Sequence, residues 1–237
     1  MSSSPSPTRA PTVSASALTR DSRRPPWWHV ALLYAAALCV LAVVVGVARR
    51  SGIALGTFMM EVQTVAKFEH HVRVPWYAGL VSNIGVIVWC ATASICLFAG
   101  ALLDGRRQTR ESRRFFLFWG ALTAVLMMDD FFLLHEVVFP KLHIHEKVTY
   151  ASYGVVIVAG LLASRGYIRR TEYPLLFLAL GFFALSLAAD TLQDRLELLL
   201  GELRILLEDG AKFLGIVGWF GYFARTAFEA LVRERTN

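Results

Sequence analysis

Six stretches of the chain are long and predominantly apolar: Trp27–Ala48, Trp76–Leu103, Phe115–Phe139, Val148–Ser164, Pro174–Leu200 and about Leu206–Phe223. A helix rises 1.5 Å per residue, so about 20 apolar residues cross a hydrocarbon core about 30 Å thick. The runs therefore predict an all-α fold, a polytopic membrane bundle of six transmembrane helices. Residues 27–232 form one transmembrane domain with spans at about 27–48, 76–103, 115–139, 148–164, 174–200 and 206–223. The 237-residue chain is 56% hydrophobic and only 18% charged, which excludes a disordered regulator, a coiled coil and a disulfide scaffold. Its three cysteines, Cys39, Cys90 and Cys96, all fall inside apolar runs and read as buried structural thiols.

Residues 1–26 are rich in Ser, Pro and Arg and lack an apolar period, which predicts a disordered cytoplasmic tail. The run that follows is too long for the core of a signal peptide, and no small-residue cleavage site precedes Arg49. It reads as an uncleaved first span. Orientation follows from the arginines. Arg20, Arg23 and Arg24 precede the first span, and Arg106, Arg107, Arg110, Arg113 and Arg114 join the second to the third. Arg165, Arg169 and Arg170 join the fourth to the fifth, and Arg225, Arg233 and Arg235 follow the sixth. All fall on one side if both termini are cytoplasmic, as expected of a multi-pass protein of the cell (inner or plasma) membrane. Arg49 and Arg50 are the exception. The net charge of +6 thus marks topology rather than a nucleic-acid surface, and the expected partner is the lipid bilayer. Between Arg49 and Pro75, the stripe Ile53, Leu55, Phe58, Met59, Val62 and Val65 predicts an interfacial helix lying on the outer surface.

Charged side chains inside spans cost about 2.5–3.5 kcal/mol each, so each needs a reason. Counting from the inner interface puts Asp129 about 21 Å up the third span and Asp190 about 24 Å up the fifth. Asp209 and Lys212 fall about 20–24 Å from the inner end of the sixth, and Ser82 and Asn83 of the second lie at a similar depth. Three helices therefore bring charge to one level, in the outer half of the membrane.

Helical spacing refines the set. Asp129 and Glu136, seven apart, share a face, with Asp130 and His135 pointing elsewhere. Asp190, Asp194 and Glu197 form a stripe with Gln193 beside it. Glu208 and Lys212 are an i,i+4 pair, and Asp209 precedes the same lysine by three. Gly215 and Gly218 leave room for close helix approach. Acids outnumber the one deep lysine, even if Arg195 or Arg204 reaches down. They cannot all stay ionised in a low dielectric, so either some hold protons or a cation sits among them. Asp129, Asp130, His135, Glu136, Asp190 and Asp209 are candidate ligands for a divalent metal (zinc, iron or manganese), with His143 and His145 as weaker candidates. Glu69, His70 and His71 supply further loop donors.

No Gly-rich phosphate loop, Gly-x-Ser-x-Gly, Glu-x-x-His or HExxH occurs. The best reading is a metal-dependent, membrane-embedded hydrolase acting on a lipid-like or amphiphilic substrate. Its candidate catalytic residues are Asp129, Glu136, Asp190, Glu208, Asp209 and Lys212. The same residues would serve a proton- or cation-coupled carrier or an ion sensor. The third reading is a structural subunit of a membrane complex. Interhelical polar contacts average only about 0.6 kcal/mol, so costly acids make poor glue. Association into an oligomer is open.

Overall fold

The computed structural model describes residues 25–62, 74–104 and 109–235. These are helical throughout, with turns between helices and no strand. Among the described residues six longer helices follow in order: α1 (Trp28–Ser51), α3 (Leu80–Leu102), α4 (Arg110–Phe132), α6 (Glu146–Ala163), α8 (Tyr173–Thr191) and α10 (Leu203–Arg235). Shorter pieces join them: α2 (Leu55–Met59), α5 (Phe139–Lys141), α7 (Arg165–Ile168) and α9 (Gln193–Leu200). Among the described residues four helices, α1, α3, α4 and α8, are long and apolar enough to cross a membrane. The apolar part of α6 is shorter, at Lys147–Ala163. α10 has 33 residues, about 50 Å at the α-helical rise, but it carries Lys212, Arg225, Glu229 and Arg233 along its length.

α10 is the hub. It packs along α8, α3 and α1, while α4 packs along α3. In lipid the tails are as apolar as the side chains, so helix association rests on close packing and small residues. Gly215 and Gly218 meet that need as expected. A Cβ at Gly215 would fall 2.8 Å from the Phe183 ring, and one at Gly218 would collide with the Tyr34 hydroxyl and lie 3.1 Å from the Ala179 Cβ. The packed interior is aromatic. Trp89 stacks on Phe183 with centroids 5.6 Å apart and meets Trp219 edge-on at 6.1 Å. Trp219 also meets Trp119 edge-on at 5.5 Å and donates its indole N–H to Thr123 Oγ1 at 3.1 Å. Pairs of this kind add about 0.5–1.5 kcal/mol each beyond the surface they bury.

Several sequence expectations change. The segment expected on the outer surface turns inward instead: all five residues of α2 are buried, against α1, α3 and α10. Gly79 makes this approach possible. Its N–H donates to Thr57 O at 2.9 Å, and a Cβ there would lie 2.9 Å from Val62. Phe58 stacks on Tyr77 at 5.1 Å, so the stripe buries its apolar side in protein rather than lipid. Val65 lies outside the described residues, as do residues 1–24 of the expected tail. The third span ends at Phe132, earlier than its hydropathy predicts, because Leu133 takes the left-handed conformation (φ 52°, ψ 45°). The fifth ends at Thr191, where Leu192 (φ −104°, ψ 17°) breaks the run before α9. The stripe Asp190–Asp194–Glu197 is thereby split: Asp194 and Glu197 are exposed on α9, away from Asp190. Cys96 is fully buried, but Cys39 and Cys90 are exposed on the bundle's outer face.

The arginines at the end opposite the charged cluster are not all free. Arg225 donates from Nε and Nη2 to Glu172, at 2.5 Å for each bond. It also donates to the carbonyls of Pro26 (3.0 Å) and Pro25 (2.6 Å) and lies 5.1 Å over the Trp27 ring. Expected as a loop charge that sets orientation, Arg225 instead ties the starts of α1 and α8 to α10.

Candidate functional site

The break at Leu133 builds the site's most defined contact. In an unbroken helix Asp129 and His135 would point to different faces. After the left-handed residue the chain winds as a π-turn, Leu134–Val138, which swings His135 back over Asp129. The His135 backbone N–H donates to Asp129 Oδ1 at 2.9 Å, and His135 Nδ1 lies 2.7 Å from Oδ2. Both side chains are about 8% exposed. A carboxylate facing Nδ1 holds the proton there, which fixes the ring tautomer and makes Nε2 the basic nitrogen. The ring also tilts against Tyr150 at 5.1 Å, and Tyr153 lies beside the Asp129 carboxylate. The expectation that His135 faces away from Asp129 is therefore corrected, and the reason is the non-glycine αL residue at Leu133. The Glu136 side chain lies outside the described part.

Asp130, next along α4, takes a different partner. Lys212 Nζ on α10 lies 2.5 Å from Asp130 Oδ1 and 3.1 Å from Glu61 Oε1. Glu61, just after α2, reaches the lysine because α2 is folded inward; nothing in its sequence neighbourhood signals this. Ser82, Asp209 and Lys212 line the same cleft, whose free volume of about 10 Å³ admits a water at most. One turn further out on α10, Arg204 donates to Glu208 at 2.7 Å, so the expected Glu208–Lys212 pair is replaced by Glu208–Arg204. Arg204 Nε is buried and has no hydrogen-bond partner among the described residues.

These groups open onto one cavity of about 740 Å³ between α4, α6, α8 and α10. Its rim carries Asp129, Asp130, His135, Asp190, Glu208, Asp209 and Lys212, together with Glu61 and Arg204. Its depth is apolar, walled by Trp89, Leu126, Ile157, Leu180, Phe183 and Trp219. The volume falls within the range of about 300–1,000 Å³ typical of small-molecule sites. Gln193 also lines it, whereas His143 and His145 are exposed and do not. His145 instead caps α6, its Nδ1 accepting from the Lys147 N–H at 3.3 Å. Glu69, His70 and His71 lie outside the described residues.

Lys212 meets both Asp130 and Glu61, Arg204 meets Glu208, and His135 meets Asp129. Among the described residues, no three His, Cys, Asp or Glu side chains come together as a metal centre would require. What the site offers chemically is a preorganised Asp–His pair at the boundary between a charged rim and an apolar pocket.

Residues 33–226 match the family model described as Domain of unknown function (DUF8692), and the chain belongs to that family. No curated protein and no solved structure matches it.

Proposed function

We propose that this DUF8692 protein is a six-span protein of the cell membrane, with both termini cytoplasmic, that binds a lipid-like amphiphile and hydrolyses it. The single observation that carries the reading is the polarity gradient of the cavity, with Asp129–His135 held at its polar–apolar junction. α6 and α10 join α1, α3, α4 and α8 as spans in this reading, and the charged rim lies on the outer side. An amphiphile's chain would lie among Trp89, Phe183 and Trp219, which sets its scissile bond near the dyad. His135 Nε2 takes a proton from a water as the water oxygen attacks the carbonyl carbon, and the leaving oxygen or nitrogen receives the proton. Asp129 orients the ring and stabilises the imidazolium. Arg204 Nε–H is the donor for negative charge developing on the carbonyl oxygen. Lys212 has the role of holding Asp130 and Glu61 in place.

The test is lipid turnover. The protein, reconstituted in vesicles of native lipid extract, should deplete one lipid class, and His135→Ala should abolish the depletion. Asp129→Asn should slow turnover by a factor of 10² or more through loss of the tautomer. Unchanged turnover in both variants, or identical lipid profiles with and without protein, would refute the hydrolase reading.

A further inference from the structure

The cavity has a side opening as well as a rim. α6 and α8 line it from opposite sides but form no packed interface with each other. α6 is held lower down, where Ile157 and Leu161 pack on the aromatic core and Gly160 lies against Phe118 and Trp119. Above that point three lining residues, Gly154 on α6 and Ala184 and Leu187 on α8, are exposed. The gap therefore faces the surface that contacts lipid, so the cavity communicates with the bilayer sideways.

Its depth matches one leaflet. The wall on α8 runs from Leu180 at the bottom to Asp190 at the rim, ten residues or about 15 Å along the helix. That is half of a hydrocarbon core about 30 Å thick. A chain lying in the adjoining leaflet could slide between α6 and α8 without leaving its depth, bringing its headgroup to the rim. The volume of about 740 Å³ suits one such chain rather than two with a bulky headgroup.

The rim then selects the headgroup. Six carboxylates line the cavity (Glu61, Asp129, Asp130, Asp190, Glu208 and Asp209) against two full cations, Lys212 and Arg204. Lys212 is shared by Asp130 and Glu61, and Arg204 is held by Glu208. Among the described residues, no basic group lies within 4 Å of Asp190 or Asp209. Tyr150 and Tyr153 also line the cavity, and aromatic rings attract alkylammonium groups.

Resting on the amphiphile reading above, we infer that the occupant is a single-chain lipid with a cationic, amine-type headgroup, loaded from the leaflet through the gap between α6 and α8. The experiment reads binding without turnover. Dodecyltrimethylammonium, dodecyl alcohol and dodecyl sulfate, each brominated near the chain end, are titrated into the full-length protein in nanodiscs. Saturable quenching of tryptophan fluorescence reports a chain beside Trp89 and Trp219. The ammonium probe should saturate at least tenfold more tightly than the alcohol, and the sulfate should show no saturable phase. Gly154→Phe should weaken the ammonium phase at least tenfold. A Cβ at Gly154 meets no atom within 4 Å, so the ring fills the gap without displacing the helix. Gly181→Phe, on α8 outside the cavity and equally open, should bind as wild type. The assay reads binding alone, which separates this inference from the chemistry: absence of lipid turnover with intact ammonium binding leaves the inference standing. Equal or tighter binding of the sulfate overturns the headgroup assignment. Unchanged binding in Gly154→Phe overturns the lateral path, and no saturable phase with any probe overturns both the inference and the amphiphile site.

Discussion

The Glu172–Arg225 pair offers a prediction in which the two partners are unequal. Both residues are buried, at 8% and 6% exposure, and joined by two bonds of 2.5 Å. Removing one member of a buried pair costs about 3–5 kcal/mol, because the other is left as an uncompensated charge. The structure decides where in that range each variant falls. In Glu172→Leu, Arg225 keeps the Pro25 and Pro26 carbonyls and the Trp27 ring, so the loss should be near 3 kcal/mol. In Arg225→Leu, Glu172 loses both of its bonds and the two proline carbonyls lose theirs, which puts the loss near 5 kcal/mol. At about 2–4 °C per kcal/mol for a chain of this size, Tm should fall by about 6–12 °C and about 10–20 °C respectively. The double variant Glu172→Leu/Arg225→Leu leaves no buried charge. It should therefore be more stable than Arg225→Leu alone, well short of the summed loss of about 8 kcal/mol. Thermal unfolding in mild detergent, followed by helical circular dichroism, measures all four proteins. The reasoning fails if Arg225→Leu is no less stable than Glu172→Leu, or if the double variant loses the full sum.

Three further outcomes follow from the same geometry. Gly218→Leu, which drives a side chain into Tyr34 and Ala179, should cost about 1–3 kcal/mol or more in thermal melts, whereas Gly181→Leu, facing open space, should be within about 0.5 kcal/mol of wild type. Lys212→Met leaves Asp130 and Glu61 facing each other and should destabilise by about 3–5 kcal/mol; adding Asp130→Leu should recover part of it, read as Tm against the single variant. In the proposed orientation, a cysteine introduced at Lys147 in a background lacking Cys39, Cys90 and Cys96 should react with a charged maleimide on intact cells. One introduced at Arg113 should react only after permeabilisation, and the reverse pattern would invert the topology.

Hydropathy located the helices well because apolar length is a local property: the segments around Leu41, Trp89, Trp119, Leu161 and Phe183 each became one. Counting residues along those helices also put Asp129, Asp190, Asp209 and Lys212 at a common depth, and all four line one cavity. Most pairings were not legible, because they depend on where the chain turns or on a distant partner; the i,i+4 pair Arg204–Glu208 is the exception. Asp129 meets His135 only through the αL residue Leu133, and leucine carries no signal for that conformation as glycine or asparagine would. Glu61 reads as a loop acid until Gly79 allows α2 to fold inward. In the sequence Arg225 looks like any other arginine expected on the cytoplasmic side; its burial depends on Glu172, 53 residues earlier. The metal expectation rested on residue type and depth; among the described residues no three His, Cys, Asp or Glu side chains group as ligands, and the Glu136 side chain lies outside them.

The central position of α10 has a consequence for how the protein is made. Ribosomes add about 5–20 residues per second, starting from the N-terminus. Glu61 is synthesised 151 residues before Lys212, so it precedes its partner by about 8–30 s. Glu172 precedes Arg225 by 53 residues, or about 3–10 s. During that interval α1, α3 and α8 lack α10, on which each packs, and Asp130 and Glu61 lack their cation. A nascent chain arrested before Lys212 therefore holds Asp130 and Glu61 without the cation they share. Assembly is completed by the last helix, and Asp130 and Glu61 wait for its lysine.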